Sequence, residues 1–280
     1  MLIKLIRRDF SYTWREFAGL TLAFILTAIF GIAAAAADNS FYNESLFAGI
    51  SILAIIGVSI ATVIISIACQ FRLFQRNIYT NEGYLTMSLP VNPYQLILSK
   101  LIVGTFWIVF VIIAITAIST VSAQILLDIF YKDTPYEFSL WTGWRNLDRM
   151  YHITENWSPS IGLSAIIWLV GIPCGILHLD LSCAIAHLPQ FRRFRIIVGI
   201  LAFFGISIAT SYITRALRML LDIFVDIDAN VYISSYDMIY NPPVGMLNTA
   251  LLCTIFLQLI VGAVLYLATV YMVTKRLELE

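Results

Sequence analysis

The chain has 280 residues, of which 60% are hydrophobic and only 12% charged, and its 17 basic and 17 acidic side chains leave no net charge. Roughly 25% charged residues is usual for a soluble domain, and one soluble core of this length could not hide so much apolar surface. The composition excludes a soluble globular domain and specifies an integral membrane protein.

The first 16 residues carry Lys4, Arg7, Arg8, Asp9, Arg15 and Glu16, too many charges for a span and no pattern for a cleavable signal peptide. Ile3, Ile6, Phe10, Trp14 and Phe17 recur at spacings of three and four, which predicts an amphipathic helix lying along an inner leaflet over residues 1–16. Six apolar runs follow, about 17–37, 47–70, 96–127, 161–186, 196–216 and 247–272. Each is long enough to cross roughly 30 Å of hydrocarbon as a helix. The expected fold is therefore all-α and polytopic, a single transmembrane domain over residues 1–280. Gly171, Pro173 and Gly175 predict a kink or break within the fourth run.

Placement of Lys and Arg sets the orientation. With the N-terminus inside, the inner segments hold Lys4, Arg7, Arg8, Arg15, Arg72, Arg76, Lys100, Arg192, Arg193, Arg195, Lys275 and Arg276, against Lys132, Arg145, Arg149, Arg215 and Arg218 outside. Both termini are expected in the cytoplasm, and the chain in a plasma membrane with lipids around it. Two outer segments, 131–160 and 217–246, mix aromatics with acids and suit helices or loops at the outer interface.

Between the second and third runs lies a polar segment, 71–95, from Phe71 to Gln95. Thr80 or Asn81 can cap a short helix with Glu82 in its first turn, and Leu89 before Pro90 ends it. Asn92 then offers a new N-cap, with Pro93 at the first helical position and Gln95 three residues after the cap.

The core of this segment, Glu82-Gly83-Tyr84-Leu85-Thr86 with Ser88-Leu89-Pro90-Val91 and then Ser99-Lys100, resembles the first cytoplasmic loop of bacterial ABC transporter permeases of the type-two exporter class, in a subgroup common among Gram-positive bacteria. The resemblance implies that Asn81, Glu82, Gly83, Tyr84, Leu85, Thr86, Met87 and Ser88 form a coupling helix that docks into a separate P-loop ATPase subunit. It also implies that residues 2–16 are a connecting helix, and that the permease pairs with a second copy or a homologous permease. ATP and Mg would be bound by the partner, with no cofactor in this chain and no nucleic-acid partner. The expected activity is outward movement of a hydrophobic or amphipathic substrate, with peptides favoured by what the family exports.

Outside that segment the sequence offers few chemical groups. Asp180 is an acid inside a run, where ionisable groups are costly and mark candidate functional sites. With His178 and Gln258 it is a candidate for the substrate path or a proton relay; alternatively it pairs with Arg192 or Arg195, or caps a helix broken at Pro173. An ATP-independent carrier or channel using Asp180, or a membrane scaffold or sensor subunit, are the rival functions. Cys69, Cys174, Cys183 and Cys253 lie in apolar runs without metal-ligand spacing and are expected to be small core residues. There is no Walker A loop, no His-Glu-x-x-His and no Gly-x-Ser-x-Gly elbow in the sequence, so no catalytic role or metal site is expected.

Overall fold

The structure, a computed structural model, describes residues 2–37, 46–79, 92–130, 139–151, 153–191, 193–225 and 244–275. Among them are seven α-helices: α1 Leu2–Ala37, α2 Leu46–Tyr79, α3 Pro93–Phe130, α4 Leu140–Tyr151, α5 Ile153–Ala186, α6 Arg195–Val225 and α7 Val244–Lys275. All except α4 are long and apolar enough to cross a membrane, six in number. The chain is a multi-pass, all-α membrane protein. Its many exposed large apolar side chains, Trp168 and Ile196 among them, face lipid rather than water, where they carry no penalty.

The helices form two groups of three. α1 packs most extensively against α2 and α3, and α5 against α7 and α6; α3 and α5 join the groups. Within each group the first and third helices run the same way: Asp9 meets Ser99 and Thr13 meets Trp107 between α1 and α3, while Ser160 meets Asn248 and Cys174 meets Gln258 between α5 and α7. The bundle end that carries Leu2 and Lys275 is called the near end, the opposite one the far end.

Three boundaries differ from the sequence expectation. No break separates residues 2–16 from the first span, because α1 is one helix from Leu2 to Ala37. Its packed side overlaps only part of the apolar stripe, through Phe17 and Ile6. Leu5, Asp9, Thr13 and Phe17, spaced by four, are buried, whereas Ile3, Phe10 and Trp14 are exposed. The larger part of the amphipathic stripe thus turns toward lipid and a partly polar stripe turns inward. α2 continues past Gln70 to Tyr79 because Leu73 and Phe74 are buried in the bundle, so residues 71–79 are helix rather than loop. The fourth run is continuous: α5 passes through Pro159 and Pro173 without ending. Both long segments expected at the outer interface are partly helical, holding α4 with the start of α5 and the end of α6 with the start of α7.

The capping predicted at α3 is present. Tyr94 N–H donates to Asn92 Oδ1 at 3.2 Å and Gln95 N–H to the Asn92 carbonyl at 2.9 Å, which places Asn92 at the N-cap and Pro93 at the first helical turn. One close approach ties α2 to α3. A Cβ built on Gly104 would overlap the carboxamide of buried Gln70. Gly104→Ala is therefore expected to destabilise the bundle by about 1–3 kcal/mol through overpacking. Gln70→Ala in the same chain should restore most of that loss. Unfolding in mixed micelles against SDS measures both.

Candidate functional site: a buried charge layer and a polar cleft

Asp9, Lys100 and Asp180 come from α1, α3 and α5, and each stands about 10 Å inside the near end of its helix by rise per residue. Lys100 is wholly buried and Asp9 and Asp180 are 1% exposed. Asp9 Oδ2 lies 3.6 Å from Lys100 Nζ and 3.1 Å from the Ser99 hydroxyl, and Asp9 Oδ1 lies 3.4 Å from Arg8 Nη2. The carboxylate is thus met by two cations and a hydroxyl, which a buried charge requires. Lys100 also interacts electrostatically with Asp180. Neither Lys100 Nζ nor Asp180 Oδ2 has a hydrogen-bond partner among the described residues.

Among the described residues the cation that acts electrostatically on Asp180 is Lys100. Arg192 of the basic cluster that follows α5 falls outside the described residues. The helix-cap role for Asp180 falls away, since α5 is unbroken at Pro173. The electrostatic attraction between Lys100 of α3 and Asp180 of α5 crosses from one helix group to the other without a direct ion pair.

Apolar contacts surround this layer. Phe74 of α2, Ile97 of α3, Cys183 of α5 and Val270 and Val273 of α7 form one buried cluster, and the Tyr266 hydroxyl of α7 donates to the Tyr94 carbonyl at 2.7 Å. Phe74 and Ile97 stand on the two helix stems that enclose residues 80–91. The expected coupling residues Asn81 to Ser88 themselves lie outside the described residues, and the structure describes only their stems.

The second polar feature is a cleft of about 650 Å³ between α5, α6 and α7, lined by His178, Thr210, Thr214, Arg215, Arg218 and Gln258 among others. His178 Nδ1 lies 2.7 Å from the Cys174 carbonyl, and since a carbonyl only accepts, that nitrogen carries the proton. Nε2 sits 2.9 Å from Thr210 Oγ1. Arg218 donates to Thr254 Oγ1 at 2.6 Å. Two of the three residues grouped on the sequence, His178 and Gln258, thus share one cleft. Asp180 does not line it. Two residues along a helix turn a side chain through roughly 200°, so Asp180 faces the charge layer and α3, and His178 faces α6.

Sequence reasoning missed Asp9, Ser99 and Lys100 as a buried site and Arg215 and Arg218 as cleft residues. All four cysteines are free, with Cys69 and Cys183 buried. Among the described residues no group of His, Cys, Asp and Glu is arranged to hold a metal.

No protein-family model matches the chain, and comparison with curated proteins and with solved structures finds no match either.

Proposed function

We propose that the chain is the permease subunit of an ATP-driven exporter of the type-two ABC class, moving a hydrophobic or amphipathic substrate, with peptides favoured, when driven by a separate P-loop ATPase. The near end is then cytoplasmic, and the segment Asn81–Ser88 is the docking element. The observation that carries this reading is the burial of both stems of that segment in one cluster with α5 and α7. A helix pair that ended in loose, solvated turns could absorb a push on its loop. Here Phe74 and Ile97 are clamped against Cys183, Val270 and Val273, so displacement of residues 80–91 passes into both helix groups as a rigid-body movement. The ion pair between Asp9 and Lys100 extends the same clamp to α1.

The chain carries no P-loop, so ATP and Mg belong to the partner, and a second permease copy would complete the pathway. Separation of His178 from Asp180 on two sides of α5 weighs against a direct proton relay between them. The test is purification of the tagged full chain in mild detergent from the membrane in which it naturally occurs. A P-loop ATPase is expected in about equal amount and is expected to be lost with Glu82→Lys while the permease stays inserted. Recovery of no ATPase under several mild detergents would overturn the exporter function.

A further inference from the structure

We infer that the cleft between α5, α6 and α7 is a binding site for an amphipathic anion, a molecule with a phosphate or carboxylate head and an apolar tail. This does not require the exporter function, and it names a chemistry that the function leaves open. Arg215 and Arg218 line one end of the cleft. They stand about 30 and 35 Å along α6 from Arg195 by helical rise. Roughly 30 Å is the thickness of the hydrocarbon layer, so both guanidinium groups reach the far-side headgroup level, where lipid phosphates stand. Arginine matches a phosphate or carboxylate with paired N–H donors.

No carboxylate among the residues whose side chains are described pairs with these arginines. Arg218 donates to a neutral hydroxyl, Thr254 Oγ1, and the ion pairs present there involve Asp9 and Glu16 instead. Asp222, one turn further along α6, is the nearest acidic position in sequence.

Below the arginines the cleft changes character. Gly171 and Gly175 of α5 and Val261 of α7 line it, and a Cβ added at Gly175 would meet nothing within 4 Å. Gly175 withdraws a side chain from this face of α5 and leaves an open slot beside it, while Gly171, nearer the arginines, faces the Gln258 carboxamide at 3.7 Å from where a Cβ would stand. Thr210 and His178 on this wall spend polar atoms on each other and on the Cys174 carbonyl, and the unmet polar atom among the described lining residues is Gln258 Oε1. A far-leaflet lipid enters with its head and tail in this same order. A soluble anion would use the arginines and leave the slot unfilled.

The full chain, purified in a neutral detergent, is titrated separately with dihexanoyl phosphatidylglycerol, dihexanoyl phosphatidylcholine and inorganic phosphate, and retention is read by native mass spectrometry and by the thermal midpoint. The anionic lipid is expected to be retained and to raise the midpoint, and the zwitterionic lipid to do so about tenfold less well, because its choline sets a cation beside the same phosphate and opposes the two arginines. Arg215→Gln with Arg218→Gln should abolish that preference. Gly175→Leu, which fills the slot and leaves the charges, should weaken retention of the anionic lipid by a similar factor. Asp222→Asn should leave retention equal or stronger. Equal retention of the two lipids, or unchanged retention in the double arginine variant, overturns the site. Equal protection by inorganic phosphate overturns the amphipathic ligand in favour of a soluble anion. None of these outcomes depends on an ATPase, so failure here and failure of the exporter function are read separately.

Discussion

Lys100→Met is expected to destabilise the folded bundle by about 3–5 kcal/mol, the cost of leaving a buried charge without its partner. Lys100 is fully buried, lies 3.6 Å from Asp9 and attracts Asp180 electrostatically without a direct ion pair. Its removal strands the Asp9 carboxylate of α1 and withdraws the cation that acts on Asp180 of α5. Asp9 keeps Arg8 and Ser99, but Asp180 keeps no hydrogen bond to Oδ2 among the described residues. Asp9→Asn should therefore cost less than Lys100→Met, since Lys100 then retains Asp180. The double variant Asp9→Asn, Lys100→Met should still suffer from Asp180, and adding Asp180→Asn should bring stability back toward that of the parent chain, because replacing a whole buried charge set is far cheaper than breaking it. Reversible unfolding by SDS in mixed micelles measures the series. A single-variant loss below about 1 kcal/mol would mean that the layer is hydrated and the charges screened. A triple variant no better than Lys100→Met would mean that packing, not charge, sets the cost.

Why that layer stayed hidden in the sequence follows from where its members sit. Asp9 lies among Lys4, Arg7, Arg8 and Arg15, and such a run reads as a topology signal at a membrane surface. Its burial depends on Ser99 and Lys100, about ninety positions away, which no local pattern reports. A signal was present all the same. Leu5, Asp9, Thr13 and Phe17 share one helical stripe, and it is the stripe that packs. The rule that the most apolar stripe faces inward belongs to helices in water. In lipid the outward face can be apolar at no cost, and the polar stripe is the one that needs protein around it. Local chemistry was legible where it stayed local: the six spans rest on length and hydropathy, and the α3 cap rests on Asn92 and Pro93 alone. The continuation of α2 to Tyr79 was not, because Arg72 and Gln75 look like loop residues until Leu73 and Phe74 are seen buried between them. Arg215 and Arg218 were counted as outer charges for the same reason. The cleft beside them needs α5 and α7, which only the fold supplies.

The other large effect is expected at Trp107, where α1 is fastened to α3. Its indole lies parallel to Phe17 at 4.8 Å and nearly parallel to Phe10 at 4.9 Å between ring centroids, with Phe110 edge-on at 5.7 Å. Nε1 donates to Thr13 Oγ1 at 2.7 Å, and Thr13 in turn donates to the Asp9 carbonyl at 3.0 Å. One side chain thus holds both the aromatic stack and the polar thread that leads to the charge layer. Trp107→Ala should cost about 3–5 kcal/mol, as for a large buried aromatic truncated to a methyl group. Trp107→Phe keeps most of the stacking area but removes the N–H that donates to Thr13 Oγ1, whose own hydroxyl still donates to the Asp9 carbonyl, and should cost about 1–2 kcal/mol. Loss of the stack frees α1 specifically, so trypsin cleavage after Arg15 should accelerate in Trp107→Ala before the rest of the bundle opens. The same loosening should remain in Trp107→Ala whether or not Lys100 is intact, since the stack lies farther along α3 than the ion pair. Stability within about 1 kcal/mol of the parent, with Arg15 still protected, would show that α1 is held by the charge layer and α2 alone.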